Sequence, residues 1–159
     1  MNADLSRSAQ RVQDALLGQG VDCVVVELPQ MTRTANEAAR AIGCTVGQIV
    51  KSLLFEGRAS GEPLLALVSG VNRVDEKQLG TLIGESIRRP NAAFVRQKTG
   101  FAIGGVPPLG HPAPLRTFID RSLLQYDVIW AAAGTPFAVF QLTPKILLAI
   151  TDGTLVDFG

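Results

Sequence analysis

VKSLLFEGRASGEPLLALVS (residues 50–69) holds two apolar runs around a short polar turn. VKSLLFE (50–56) and PLLALVS (63–69) have the length and Val/Leu/Phe content of strands, and GRASGE between them supplies turn formers. The pair reads as a β-hairpin, so the sheet is at least partly antiparallel. Downstream, VIWAAA (128–133) and FAVFQL (137–142) are separated only by Gly134-Thr135-Pro136 and predict a second hairpin. CVVVEL (23–28), a short segment near Ser86–Arg89, and LRTFI (115–119) read as further strands.

Helical signals fill the intervals. Leu5, Ala9, Val12 and Leu16 recur on one face, which predicts an amphipathic helix over about residues 4–19. Thr34 and Glu37 have capping-box spacing before a small-residue helix closed by Gly43, and Thr45 to Gln48 suggests a brief helical turn. Asp75 and Asn91 each cap a helix, ending at Gly84 and about Lys98. Thr143-Pro144 starts a last one, with proline in the first turn, where no hydrogen bond is lost. Hairpins interleaved with short helices define a mixed α/β (α+β) class. The absence of G-x-G-x-x-G and G-x-x-x-x-G-K-[ST] disfavours a doubly wound nucleotide-binding fold.

The 159 residues match one domain, 1–159, with no repeat or linker, and 47% apolar residues fill its core. Fifteen basic and fourteen acidic residues leave a net charge of +1, which argues against a protein that wraps duplex DNA. No apolar run reaches the ~20 residues of a membrane span, and the N-terminus lacks the apolar core of a signal peptide. Cys23 and Cys44 have neither metal nor redox spacing, so a reduced cytoplasmic protein is the expectation. With one histidine, His111, and no paired carboxylates, neither a metal site nor a Ser-His-Asp triad is expected.

Two features carry chemistry. Lys51 lies in an apolar strand on the face of Leu53 and Phe55, opposite Val50, Ser52 and Leu54. It either snorkels to water at an edge or meets something anionic or carbonyl-like. The alternation also excludes a Ser52–Lys51 dyad. The second feature is IGGVPPLGHPAP (103–114). Its prolines, Pro107, Pro108, Pro112 and Pro114, have no N–H, which leaves Gly104, Gly105, Val106, Leu109 and Gly110 as donors. Such a loop is either a rigid crossover or one wall of a pocket with its N–H groups aimed inward.

TANEAARAIGCTVGQIVKSLLF, LALVSGVNRVDEKQLGTLIG, KTGFAIGGVPPLGH and FIDRSLLQYDVIWAAAGTPFAVFQLTP occur in this order. Together, over about residues 24–152, they resemble the YbaK/ProX family of aminoacyl-tRNA editing domains. The resemblance implies a curled mixed sheet surrounded by short helices and hydrolysis of the ester between a wrong amino acid and the 3′ end of tRNA. It places the family lysine at Lys51 and the G-x-x-x-P loop at Gly104-Gly105-Val106-Pro107-Pro108. Lys51, Gly104 and Gly105 are the implied catalytic positions; Val106, Pro107, Pro108, Asp120 and Gly134 are the implied substrate-binding ones. Asp120 reads equally well as a helix cap before Arg121-Ser122-Leu123. Ser52 stands where relatives also carry threonine or asparagine.

The implied enzyme is a deacylase acting in trans without metal or cofactor. It removes a small amino acid from tRNA-Pro or a related tRNA, with a prolyl-tRNA synthetase or an elongation factor as possible partners. The rival readings are a silent tRNA-binding module of the same fold and a hydrolase of other small esters or thioesters.

Overall fold

A computed structural model describes residues 4–159. The elements, in chain order, are α1 (Arg7–Gly18), β1 (Val25–Glu27), α2 (Ala35–Ile42), β2 (Ile49–Gly57), β3 (Pro63–Ser69), α3 (Glu76–Ile83), β4 (Ile87–Arg88), α4 (Ala92–Thr99), β5 (Arg116–Asp120), β6 (Ile129–Ala132), β7 (Ala138–Leu142), α5 (Pro144–Thr151) and β8 (Thr154–Val156). Single 3-10 turns occupy Val46–Gln48 and Arg121–Gln125.

The strands form one mixed sheet in the order β1-β7-β6-β2-β3-β5-β8, with β4 also paired to β2. The two expected hairpins, β2–β3 and β6–β7, are antiparallel, whereas β2–β6, β3–β5 and β5–β8 are parallel. The centre of the sheet explains why PLLALVS is apolar without alternation. Leu65 and Leu67 of β3 pack with Val50, Leu54, Phe101 and Ile119 in one cluster; Leu64, Ala66 and Val68 pack with Phe55, Leu79 and Phe118 in another. A strand buried on both faces has no polar side to show.

Helix starts follow the local chemistry, with two adjustments. α1 begins at Arg7 because the hydroxyl of Ser6 accepts from the Ala9 N–H at 3.3 Å, so Asp4–Ser6 precede the helix. At α2 the Thr34 hydroxyl accepts from the Glu37 N–H as expected, but the Glu37 carboxylate reaches back to the N–H of Arg33 rather than Thr34. The one strand without an advance signal is β8. Three residues are too few to show a period, and only pairing with β5 makes them a strand.

Candidate functional site

The site grows from a gap in the sheet. β3 covers one edge of β2 along its whole length from Val50 to Glu56. The other edge meets β6 only at Ile49–Val50 and β4 only at Glu56–Gly57. Pairing with β4 stops at Pro90, which has no N–H to continue the ladder. The hydrogen-bond phase of the hairpin tells which groups face this gap. Gly57 N–H donates to the Glu62 carbonyl (2.9 Å) and Gly70 N–H to the Ile49 carbonyl (2.8 Å), so odd-numbered residues of β2 bond to β3. The main-chain groups of Ser52 and Leu54 therefore point into the gap, where they find no partner among the described residues.

The loop 103–106 faces this gap, and the two enclose a cavity of about 630 Å³. Lys51, Ser52, Asn72, Arg73, Gly104, Val106 and Trp130 are among its lining residues. Among the described residues its cationic lining residues are Arg33, Lys51 and Arg73, and no Asp or Glu lines it. On a chain of net charge +1 this is a local concentration of positive charge, suited to an anionic ligand.

Lys51 is half-buried, and its ammonium donates to the main-chain carbonyl of Asn72. Burial, then the guanidinium groups of Arg73 and Arg89, hold its pKa below the ordinary lysine value, while Asp120 pulls it back up. Asn72 is itself held: its Nδ2 donates to Asp120 Oδ2 and to Ser122 Oγ, each at 2.9 Å. Asp120, fully buried, also accepts from the N–H of Ser69 at 3.0 Å and of Ser122 at 2.9 Å.

Of the residues singled out in the sequence, the structure brings Lys51, Gly104 and Val106 to the cavity and sets five others behind it. Gly105 is not a free donor: its N–H is spent on the Ala102 carbonyl (3.0 Å), and its own carbonyl accepts from Gly134 N–H (2.8 Å). A Cβ on Gly105 would lie 2.6 Å from the backbone of Gly134, so this stitch needs glycine. Gly134 in turn, at φ +100°, backs against α1, where a Cβ would sit 2.6 Å from the Ser8 carbonyl oxygen. Pro107 and Pro108 are buried away from the cavity. Asp120 caps the turn at Arg121–Gln125 and, fully buried, does not line the cavity, so the structure favours the cap over the implied substrate contact. Gly104 (φ +93°) and Val106 keep N–H groups without an acceptor among the described residues.

His111 likewise serves the loop from behind. Its Nε2 bonds to the Pro107 carbonyl at 2.8 Å, and burial lowers its pKa while that bond opposes the shift. Asn72, Arg73, Arg33 and Trp130 were not foreseen as site residues. They stand in loops or on a distant strand, and no local spacing marks them. Among the described residues no three His, Cys, Asp or Glu side chains gather as a metal site would require.

With this geometry in view, comparison with known proteins is specific. The profile of the aminoacyl-tRNA editing domain family matches residues 30–150. A crystal structure described as a candidate trans-editing enzyme for prolyl-tRNA synthetase superposes with a TM-score of 0.92 at 53% identity, covering 97% of this chain and 98% of the other. The protein YwhH of Bacillus subtilis is 31% identical over 77% of this chain and 78% of its own length. EbsC of Enterococcus faecalis, described as a candidate Cys-tRNA(Pro)/Cys-tRNA(Cys) deacylase, is 26% identical over 78% of this chain and 76% of its own. The chain belongs to the aminoacyl-tRNA editing domain family, of the YbaK/ProX type. Among the described residues no helix is long and apolar enough to cross a membrane.

Proposed function

We propose that this chain is a cytoplasmic, trans-acting deacylase that hydrolyses the ester of a small amino acid mischarged onto tRNA-Pro or a related tRNA. The observation that carries the reading is the cavity that sets Arg33, Lys51 and Arg73, without a carboxylate, beside the free N–H groups of Gly104 and Val106. The cations suit the terminal phosphates of an acceptor end. The N–H groups suit the carbonyl oxygen of an ester, which gains negative charge as it reacts. The names of the relatives agree with this class of substrate.

In the reaction a water oxygen adds to the ester carbonyl carbon, and Gly104 and Val106 stabilise the oxyanion. The bond to the ribose oxygen then breaks, and the proton given up by water ends on that oxygen as a hydroxyl. Lys51, anchored at one of its three donors by Asn72, turns the others toward the ester or the adjacent phosphate. The substrate's own 2′-hydroxyl assists the water. An aminoacyl ester is already activated, so positioning and charge suffice and no metal is needed. A prolyl-tRNA synthetase or an elongation factor is the source of the charged tRNA.

The test is deacylation of tRNAs charged with alanine, cysteine, serine, threonine or proline by wild type and Lys51→Ala, both verified as folded. One or two esters should turn over, with kcat/KM lower by about 10²-fold in the variant. Binding of charged tRNA with no turnover of any ester would overturn the reading in favour of a silent binding module.

A further inference from the structure

A second, smaller cavity of about 150 Å³ adjoins the first, and Ser52, Leu53, Ile103, Gly104 and Val106 line both. Its other walls are Leu54, Phe55, Pro90, Val95 and Arg89, whose side chain is largely exposed and pairs with Glu76 at 3.7 Å. Among the described residues lining this branch, Ser52 alone has an uncharged polar side chain. Its Oγ is buried and makes no hydrogen bond, the one such side-chain atom among the described residues. A buried hydroxyl without a partner is costly to maintain and calls for an explanation.

An apolar cavity of about 150 Å³ holds a body the size of benzene. By size alone the branch therefore admits the side chains of alanine, serine, threonine and valine alike. Discrimination among them has to come from chemistry, and the branch offers one uncharged group able to supply it. Rotation about χ1 swings the Ser52 hydroxyl between staggered positions with no change in the backbone. The N–H and C=O of the same residue face the gap unpaired, so an aminoacyl group lying along the open edge of β2 would have its side chain beside Ser52.

We propose that Ser52 is a specificity-determining residue: the branch receives the side chain of the amino acid being removed, and Ser52 Oγ shares a hydrogen bond with a hydroxyl on it. The inference rests on the deacylase reading of the main cavity. Seryl and threonyl esters are then preferred to alanyl and valyl esters. A pocket built to hydrogen-bond a hydroxyl rejects the analogue lacking one far better than an apolar pocket rejects an added hydroxyl.

The test compares kcat/KM for tRNA carrying serine against alanine, and threonine against valine, in wild type, Ser52→Ala and Ser52→Thr, after thermal unfolding shows all three folded. In wild type each hydroxyl-bearing ester should be favoured by at least about tenfold. Both ratios should collapse toward one in Ser52→Ala and persist in Ser52→Thr. Ratios near one in wild type, or ratios that survive Ser52→Ala, overturn the inference and leave the deacylase reading standing. If no ester is turned over, the deacylase reading falls, and the affinity of amide-linked seryl- and alanyl-adenosine decides the specificity instead. A preference for the seryl compound that depends on Ser52 supports it, and equal affinities overturn it.

Discussion

Lys51 and Asn72 are joined by a hydrogen bond from the lysine ammonium to the asparagine's main-chain carbonyl, and the Asn72 side chain is tied in turn to Asp120. A flexible side chain is thereby held by a chain of contacts that ends on a fully buried carboxyl group. The lysine is a point charge on a mobile stem, and its usefulness at a reacting ester depends on where that stem is held. Under the proposed reaction Asp120 is a positioning residue, acting on Lys51 through the loop 69–73.

Asp120→Asn should retain the fold and impair the reaction. An amide oxygen cannot replace both carboxyl oxygens as acceptors for Ser69, Ser122 and Asn72. Loss of one such buried bond costs about 1–3 kcal/mol, or a fall in Tm of about 2–4 °C for each kcal/mol in a chain of this size. The distinguishing readout is the pH profile. Asp120 raises the pKa of Lys51, so its removal lowers that pKa further, and the alkaline loss of activity should begin at lower pH than in wild type. An unmoved alkaline limb would assign Asp120 a purely structural role.

Gly134→Ala should be far more damaging than Gly61→Ala, although both positions have positive φ. Gly61 (φ +72°) lies in the β2–β3 turn with nothing within 4 Å of a built Cβ, so alanine there meets only backbone strain, about 1–2 kcal/mol. At Gly134 the same strain is joined by a clash at 2.6 Å with the Ser8 carbonyl oxygen. Urea unfolding of the two variants should show at least twice the loss at Gly134. Equal losses would mean that α1 yields without cost.

His111 should make stability depend on pH on the acid side. Its folded pKa lies below the ordinary value of about 6.5, so the unfolded chain binds more protons between the two values. Its contribution to stability is complete above about pH 6.5 and is lost as the pH falls toward the folded value. With a single histidine in the chain, the comparison is clean. Between about pH 7.5 and pH 5.5, Tm should drop more in wild type than in His111→Gln. Parallel decreases would show that burial of the imidazole does not govern this range.

Much of the fold is legible in residues 50–69, 115–119 and 128–142, because a strand's apolar run and the turn that ends it are local events. Capping at Thr34, Asp75, Asn91 and Thr143 is legible for the same reason: a side chain and a backbone N–H two or three residues on settle it between them. Lys51 and the Gly/Pro loop also stand out locally, the first as a charge in an apolar strand, the second as a cluster of glycine and proline.

The composition of the wall could not be read this way. Gly105 spends its N–H on the nearby Ala102, but its carbonyl is held by the N–H of Gly134, a residue from the distant β6–β7 turn, and this places the loop against the gap. Whether Ser52 is paired depends on where β4 and β6 stop along β2, which is a matter of Pro90 and of the β6–β7 hairpin. Asn72, Arg73 and Arg33 enter the site because a parallel pairing and a sheet gap bring their loops together. The sequence alone determined every element but β8, the caps at Thr34, Asp75, Asn91 and Thr143, and two chemically unusual positions, since these depend on neighbours within a few residues. Only the tertiary structure decided which donors are spent and which remain open to a ligand, since each buried polar group is satisfied by a partner that the fold, and not the chain, places beside it.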